Sequence, residues 1–235
     1  MRSVHLRILS VAMATFLLLL AATPDVQAKV LASPHAPVVP VVFLPIIGDT
    51  VSLVSVPSTQ PSSPDIANRV PTLEEFLHSV ANGQSNLVRG VYVQDLFALA
   101  VIQQPQNQSN YVSSEANTTT QFYVAAVFGV TGLLAHNDKA GSEFFDLAPK
   151  QEIDIVYGDG TIRRYQIKSI DRFQALEPVN PQSDLIDLST GNKLTSSEVF
   201  SQFYMGEHHL TLQTCIASIG ISSWGRLFVR AELLP

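Results

Sequence analysis

Beyond Gly83 the apolar residues of this chain recur at alternate positions, in short runs separated by glycine, asparagine and proline. The runs at 88–93, 96–102, 133–136, 152–157, 162–170, 209–215 and 227–233 are rich in Val, Ile, Tyr and Phe, and each fits a half-buried β-strand. Gly158-Asp159-Gly160, between two of them, is a hairpin turn, because glycine accepts the positive φ that such turns demand. Segment 103–120 reads as a polar loop with few apolar anchors. No helix alternates with the strands as a doubly wound sheet would require, and no internal repeat is visible. The expected fold is therefore mainly β, a closed barrel or a sandwich with two or three short helices.

Two of those helices announce themselves by capping boxes. In Thr72-Leu73-Glu74-Glu75 the threonine accepts from first-turn amides while Glu75 reaches back to the cap. Leu73, Phe76, Leu77 and Val80 then form one helical stripe, closed by Asn82-Gly83, and that stripe should pack on the outside of a sheet. Thr195-Ser196-Ser197-Glu198 opens a second helix through Val199, Phe203 and Tyr204.

What precedes Thr72 has a different character. Residues 1–28 carry the three parts of a secretory signal: Arg2 and Arg7, an apolar run at 8–22, and small side chains around Val26-Gln27-Ala28. The apolar run falls short of the roughly 18–20 residues that span a bilayer, which favours cleavage before Lys29. Left uncleaved, the segment would tether the protein to a membrane, and either outcome exports the rest. From 29 to 70 prolines recur every few residues, and Pro40 and Pro45 interrupt the apolar patch VVPVVFLPIIG, so the stretch reads as an extended linker. Residues 71–235 remain for a single domain. A net charge of -6 and the absence of a Lys/Arg run argue against a nucleic-acid partner.

The chain has 1 cysteine, Cys215, so it forms no internal disulfide, and the thiol is either buried and inert or exposed and reactive. It ends one alternating run, and Arg226 opens the next, a thiol beside a fixed positive charge. Of the 6 histidines, His5 lies in the signal, His35 in the linker, and His78 between the stripe positions of the first helix. His208 and His209 precede the Cys215 run, but without a second thiol or HxxxH spacing they do not make a metal site, and His209 lies about 20 Å along the strand from the thiol. His136 ends the run VTGLLAH and is followed at once by Asn137-Asp138 and then Gly141, which sets its imidazole at a strand end.

The pentapeptide TLQTC at 211–215 resembles the TLxTC signature of sortases, exported cysteine transpeptidases of bacterial envelopes. GLLAHNDKAGSEFFDL is similar to the sortase histidine segment, QEIDIVYGDGTIRRYQI to the hairpin that follows it, and SWGRLFVRAEL to the last strand with its arginine. The resemblance covers 88–234. It implies an eight-stranded sortase β-barrel, with Cys215 as nucleophile, His136 as acid/base and Arg226 as the third catalytic group. Arg230 shares the alternation of Arg226, which is preferred because it stands at the start of the run. Asp138 would be a helper, and Thr214 matches the signature without a chemical role of its own. No cofactor and no metal is implied. The implied partners are exported proteins carrying a sorting motif and an amine acceptor of the envelope or a pilin.

The residue types suit that chemistry without the family name. A thiolate is both nucleophile and leaving group, as acyl transfer needs. An imidazole can protonate a departing amine and deprotonate an incoming one. A guanidinium offers a permanently charged fork to an oxyanion. The competing reading is a catalytically silent barrel kept as an envelope binding or scaffold module. An L,D-transpeptidase or papain-like enzyme fits less well, since its cysteine would stand in a different local context.

Overall fold

The computed structural model describes residues 69–235. The expected signal 1–28 and nearly all of the linker 29–70 lie outside the described residues. In chain order the elements are helix α1 (Leu73–Val80), β1 (Val88–Val93), β2 (Phe97–Gln103), β3 (Thr118–Gln121), α2 (Tyr123–Val127), β4 (Thr131–Leu134), a 3-10 segment (Ala140–Asp146), β5 (Glu152–Tyr157), β6 (Ile162–Ala175), β7 (Leu185–Asp187), β8 (Lys193–Leu194), α3 (Ser196–Tyr204), β9 (His209–Ser218) and β10 (Ile221–Leu233).

The sheet runs β10-β9-β4-β3-β2-β1-β5-β6, and pairing of β10 with β6 closes it into an eight-stranded barrel. Closure removes the open edges that an eight-stranded sheet would otherwise expose. β7 and β8 continue outward from β6 as a flap. Most neighbours are antiparallel, but β4 runs parallel to β9 and β2 to β3.

Alternation divides each strand between two cores. Val91, Leu99, Leu133, Leu210, Leu212, Leu227 and Val229 fill the barrel interior, and Ala140, Phe144 and Leu147 of the 3-10 segment and its exit join them. Leu134, Cys215 and Phe228 face outward into a second core completed by Phe122 and Ala125 and by Val199, Phe200, Phe203 and Tyr204 of α3. Phe203 stacks on Phe228 with ring centroids 4.2 Å apart, and Phe122 meets Tyr204 edge-on at 5.2 Å. α1 lies on the barrel exterior, as its stripe requires, packing Phe76 against Tyr92 with Val156. Both capping boxes form as the sequence specifies.

Several segments differ from the sequence reading. The polar loop 103–120 ends in strand β3, whose TTTQ has no apolar alternation because Thr118 donates to the Ser113 hydroxyl and Thr120 accepts from the Ser113 amide rather than facing water. β6 runs past Ile170 to Ala175, around an irregularity opposite Arg230/Ala231 that leaves Lys168 out of the ladder register with β10. β10 starts at Ile221, so Arg226 lies inside the strand rather than at its start; the polar Ser222-Ser223 hides the first turn of the ladder from a hydrophobic pattern. β4 stops at Leu134, two residues before His136.

Candidate active site

The site is built from register. Arg226 is the direct antiparallel partner of Cys215, so their side chains leave the same face of the sheet with Cβ atoms about 4.5–5.5 Å apart. On the other side of β9, Leu134 pairs with Gln213 in parallel, and the Ala135 amide donates to the Gln213 carbonyl at 3.1 Å. Continuing that register one residue for one brings His136 level with Cys215, at the inter-strand spacing of about 4.8 Å. Leu133 and Ala135 face the barrel interior and Leu134 faces out, which leaves His136 on the outer face with Cys215. Extending the ladder in this way sets His136 on the outer face on one side of Cys215, with Arg226 on the other.

Each member is held by its surroundings. Thr214, on the inward alternation, donates its hydroxyl to the Ala135 carbonyl at 2.9 Å and so ties β9 to the peptide just before His136. That junction is tight: a Cβ on Gly141 would stand 2.6 Å from the His136 carbonyl and 2.8 Å from that of Ala135. Glycine is needed at 141 because two carbonyls and the Thr214 hydroxyl occupy the place of a side chain. The Gly141 amide in turn donates to the His136 carbonyl at 2.8 Å.

His136 is half-buried, and its Nε2 lies 3.3 Å from the carbonyl of Val112. The Val112 side chain belongs to the outer core that contains Cys215. The β2–β3 loop therefore lies against the site, and it is a braced loop: Gln104 Nε2 donates to the carbonyls of Ser109 and Tyr111, and its Oε1 accepts from the Tyr123 amide. The contact spans 24 residues of chain, and no local pattern in the sequence marks it.

Cys215 is 0 % exposed. Arg226 is 2 % exposed, an unusual burial for a guanidinium, and it donates to main-chain carbonyls, from Nη1 to Ser223 at 2.7 Å and Gly225 at 2.9 Å and from Nη2 to Pro178 at 3.3 Å. Burial pulls the Arg226 pKa below its ordinary value, and the neighbouring Cys215 opposes that pull, as an anionic thiolate beside a cation would. No carboxylate pairs with Arg226 among the described ion pairs. Arg230 is partnered with Thr211, four positions further along β9 and about 13 Å from Cys215 along the strand. Register therefore places Arg226, and not Arg230, beside Cys215.

Other candidates fall elsewhere. Both nitrogens of His209 face backbone carbonyls, those of Glu207 and Phe203, and His208 bridges Gly129 and the Tyr165 hydroxyl; both rings brace the far end of the barrel. His78 is exposed on α1, and Asp138 is exposed as well, whereas Asn137 turns inward and donates to the Ser222 carbonyl at 3.0 Å. On the outer face of β9, Gln213 accepts from the buried Tyr204 hydroxyl, whose own pKa burial raises well above the ordinary value. A cleft of about 550 Å³ opens beside the start of α1, between Arg69, Tyr92, Asp154 and Arg164, and includes none of the three residues. Among the described residues no group of His, Cys, Asp and Glu is arranged to hold a metal ion, and no helix is long and apolar enough to cross a membrane.

No protein-family model and no curated protein matches the chain. Solved structures do. Sortase A of Listeria monocytogenes is 13% identical, with a TM-score of 0.39 over 63% of this chain and 88% of that one. Sortase C-1 of Actinomyces oris is 12% identical, with a TM-score of 0.44 over 74% of this chain and 90% of that one. A sortase D5 transpeptidase of Clostridium perfringens is 15% identical, with a TM-score of 0.39 over 70% and 90%. A likeness of this size speaks for neither activity nor site residues.

Proposed function

We propose that the protein is an exported cysteine transpeptidase of the sortase type, with a signal at 1–28, a linker at 29–70 and a catalytic barrel at 71–235. The observation that carries the proposal is the register: Cys215 is paired across the ladder with Arg226, and β4, which leads into His136, runs on the other side of β9. The TLQTC pentapeptide supports it from the sequence.

In this reading the Cys215 thiolate attacks the carbonyl carbon of a peptide bond in the sorting motif of an exported protein. Arg226 lies beside the oxygen that becomes negative. The C–N bond breaks as His136 gives its proton to the departing nitrogen, leaving a thioester on Cys215. An amine of the envelope or of a pilin then attacks the thioester carbon, its proton passes to His136, and the thiolate is released. The electrostatic pairing is internally consistent, since a buried cation favours the thiolate and the thiolate favours the buried cation.

The full burial of Cys215 is the one observation on the side of a silent scaffold. Incubating the purified protein with a library of sorting-motif peptides and an amine acceptor, beside Cys215→Ala, separates the two readings. The transpeptidase yields amine-linked product from the wild type alone; no Cys215-dependent product across the library would establish the scaffold instead.

A further inference from the structure

We infer that the cleft beside the start of α1 is a second binding site, shaped for a primary ammonium group on an alkyl stem, as at the end of a lysine side chain. It measures about 550 Å³, lies apart from the strand ends that carry Cys215, and does not depend on the reading of that site. A volume of this order is typical of small-ligand sites.

Register builds the floor. Tyr92 on β1 is the direct partner of Asp154 on β5, and Asp154 is the partner of Arg164 on β6, so the three side chains leave the outer face of the barrel in a row. Residues 69–73, leading into α1, form one wall, and the β1–β2 turn with Gln94 and Asp95 forms another.

The charges around the cleft do not balance. Arg164 grips Asp154 through Nε at 2.7 Å and Nη2 at 2.9 Å and lies 3.3 Å from Glu152, while Arg69 pairs with Glu75 at 2.9 Å. Both guanidinium groups are thus matched by carboxylates. Asp95 has no ion-pair partner among the described residues, and its side chain meets only the Gln94 amide at 3.4 Å. The unmatched charge is negative, so the cleft favours a cation and repels an anion.

Tyr92 points to a ligand independently of the carboxylates. It is 6 % exposed, and its ring is fixed on Phe76 with centroids 6.0 Å apart. Its hydroxyl has no hydrogen-bond partner among the described residues, yet it is not one of the sealed, orphaned atoms; it opens into the cleft that Tyr92 lines. A phenol so deeply held usually has a partner. Burial, and then the carboxylates of Asp95, Asp154 and Glu75, push the phenol pKa up, so the oxygen stays protonated and offers a lone pair. An ammonium carries three donors and no acceptor, which suits the Tyr92 oxygen and the Asp95 carboxylate together. The half-buried Val70, Pro71 and Leu73 of the wall give the alkyl stem an apolar bed.

Titrating N-acetyl-lysine amide into the full chain, with the backbone amide shifts of residues 92 and 95 as readout, tests the assignment against the Nζ-acetylated form. The free amine should bind and the acetylated one should not. Asp95→Asn and Tyr92→Phe should each weaken binding about tenfold. Both variants keep the fold, because asparagine tolerates the φ of 60° at position 95 and phenylalanine retains the stack on Phe76; equal urea midpoints check this. Glu207→Gln, which removes an exposed carboxylate from the α3–β9 connection, should leave binding unchanged. Capped lysine binding more tightly than cadaverine assigns the amine to a polypeptide, and the reverse order assigns it to a free diamine. Equal binding of the acetylated form, a Tyr92→Phe variant that binds as the wild type does, a loss in Glu207→Gln that matches Asp95→Asn, or no shift with either amine overturns the site.

Discussion

Replacing Arg226 by methionine should separate stability from catalysis. The guanidinium is 2 % exposed and makes three hydrogen bonds, to the carbonyls of Ser223, Gly225 and Pro178. Methionine removes those charge-assisted bonds, each worth about 1.5–3 kcal/mol. It also removes a buried charge whose desolvation costs several kcal/mol, and it fills much of the same volume. These terms oppose one another, so the net change in unfolding free energy should stay within about 2 kcal/mol. Catalysis has no such offset. Loss of a donor to the developing oxyanion costs about 10²–10³ in rate, equivalent to about 2.7–4 kcal/mol. Urea denaturation gives the first quantity and kcat/KM on a cleaved motif peptide the second. Arg226→Lys should fail to restore the rate, because a single point charge cannot span the positions that the planar fork serves. Retention of activity within about threefold, or a rate loss that merely tracks the unfolded fraction, would refute the reasoning.

Thr214→Val deletes the buried hydroxyl that reaches the Ala135 carbonyl and should destabilise the fold by about 1–2 kcal/mol in urea denaturation, whereas an unchanged midpoint would mean the tie has no worth. Gly141→Ala drives a methyl group against two main-chain carbonyls, so a loss of about 1–3 kcal/mol is expected, and a neutral result would show that the 3-10 segment can shift freely. Gln104→Ala unclasps the carbonyls of Ser109 and Tyr111, freeing the loop that carries Val112; alkylation of Cys215 by iodoacetamide should then accelerate severalfold, and an unaltered rate would show that the loop does not control access. In α1 the Glu75 carboxyl is held at about 2, first by Arg69 and then by the Thr72 amide. A pKa below the unfolded value means that the stabilisation is present at neutral pH and is lost as pH falls from about 4.5 toward 2. Amide exchange in α1 should rise through that window and Glu75→Gln should abolish the trend; protection that does not vary with pH would contradict it.

The parts of the site that could be read from sequence are those that keep strict alternation. The β9 segment from His209 to Cys215 shows its two faces plainly, and Cys215 does sit with Gln213 and Thr211 on the outer one. β4 ends at Leu134, and only by carrying its alternation on past that residue does His136 take the outer face. The arginine could be named from the sequence but not placed: only pairing across β9 and β10 distinguishes Arg226 from Arg230, and a register is invisible in either strand alone. β3 was missed because Thr118 and Thr120 satisfy their hydroxyls with Ser113, an arrangement that depends on a loop folding back. α2, with five residues and no side-chain cap, gives no start signal at all. Val112 and Asn137 acquire their importance from contacts across 24 and 85 residues of chain, which no local pattern encodes.

The central claim is that Cys215 forms an acyl bond with assistance from the residues on either side of it. Rapid mixing of the protein with a cleaved motif peptide in the absence of amine, acid quenching and intact-mass analysis would show this directly. The account predicts a covalent adduct with the mass of the acyl fragment, located to Cys215, formed more slowly in His136→Ala and absent in Cys215→Ala. Peptide cleavage that continues unchanged in Cys215→Ala, or an adduct carried on any other residue, would contradict it.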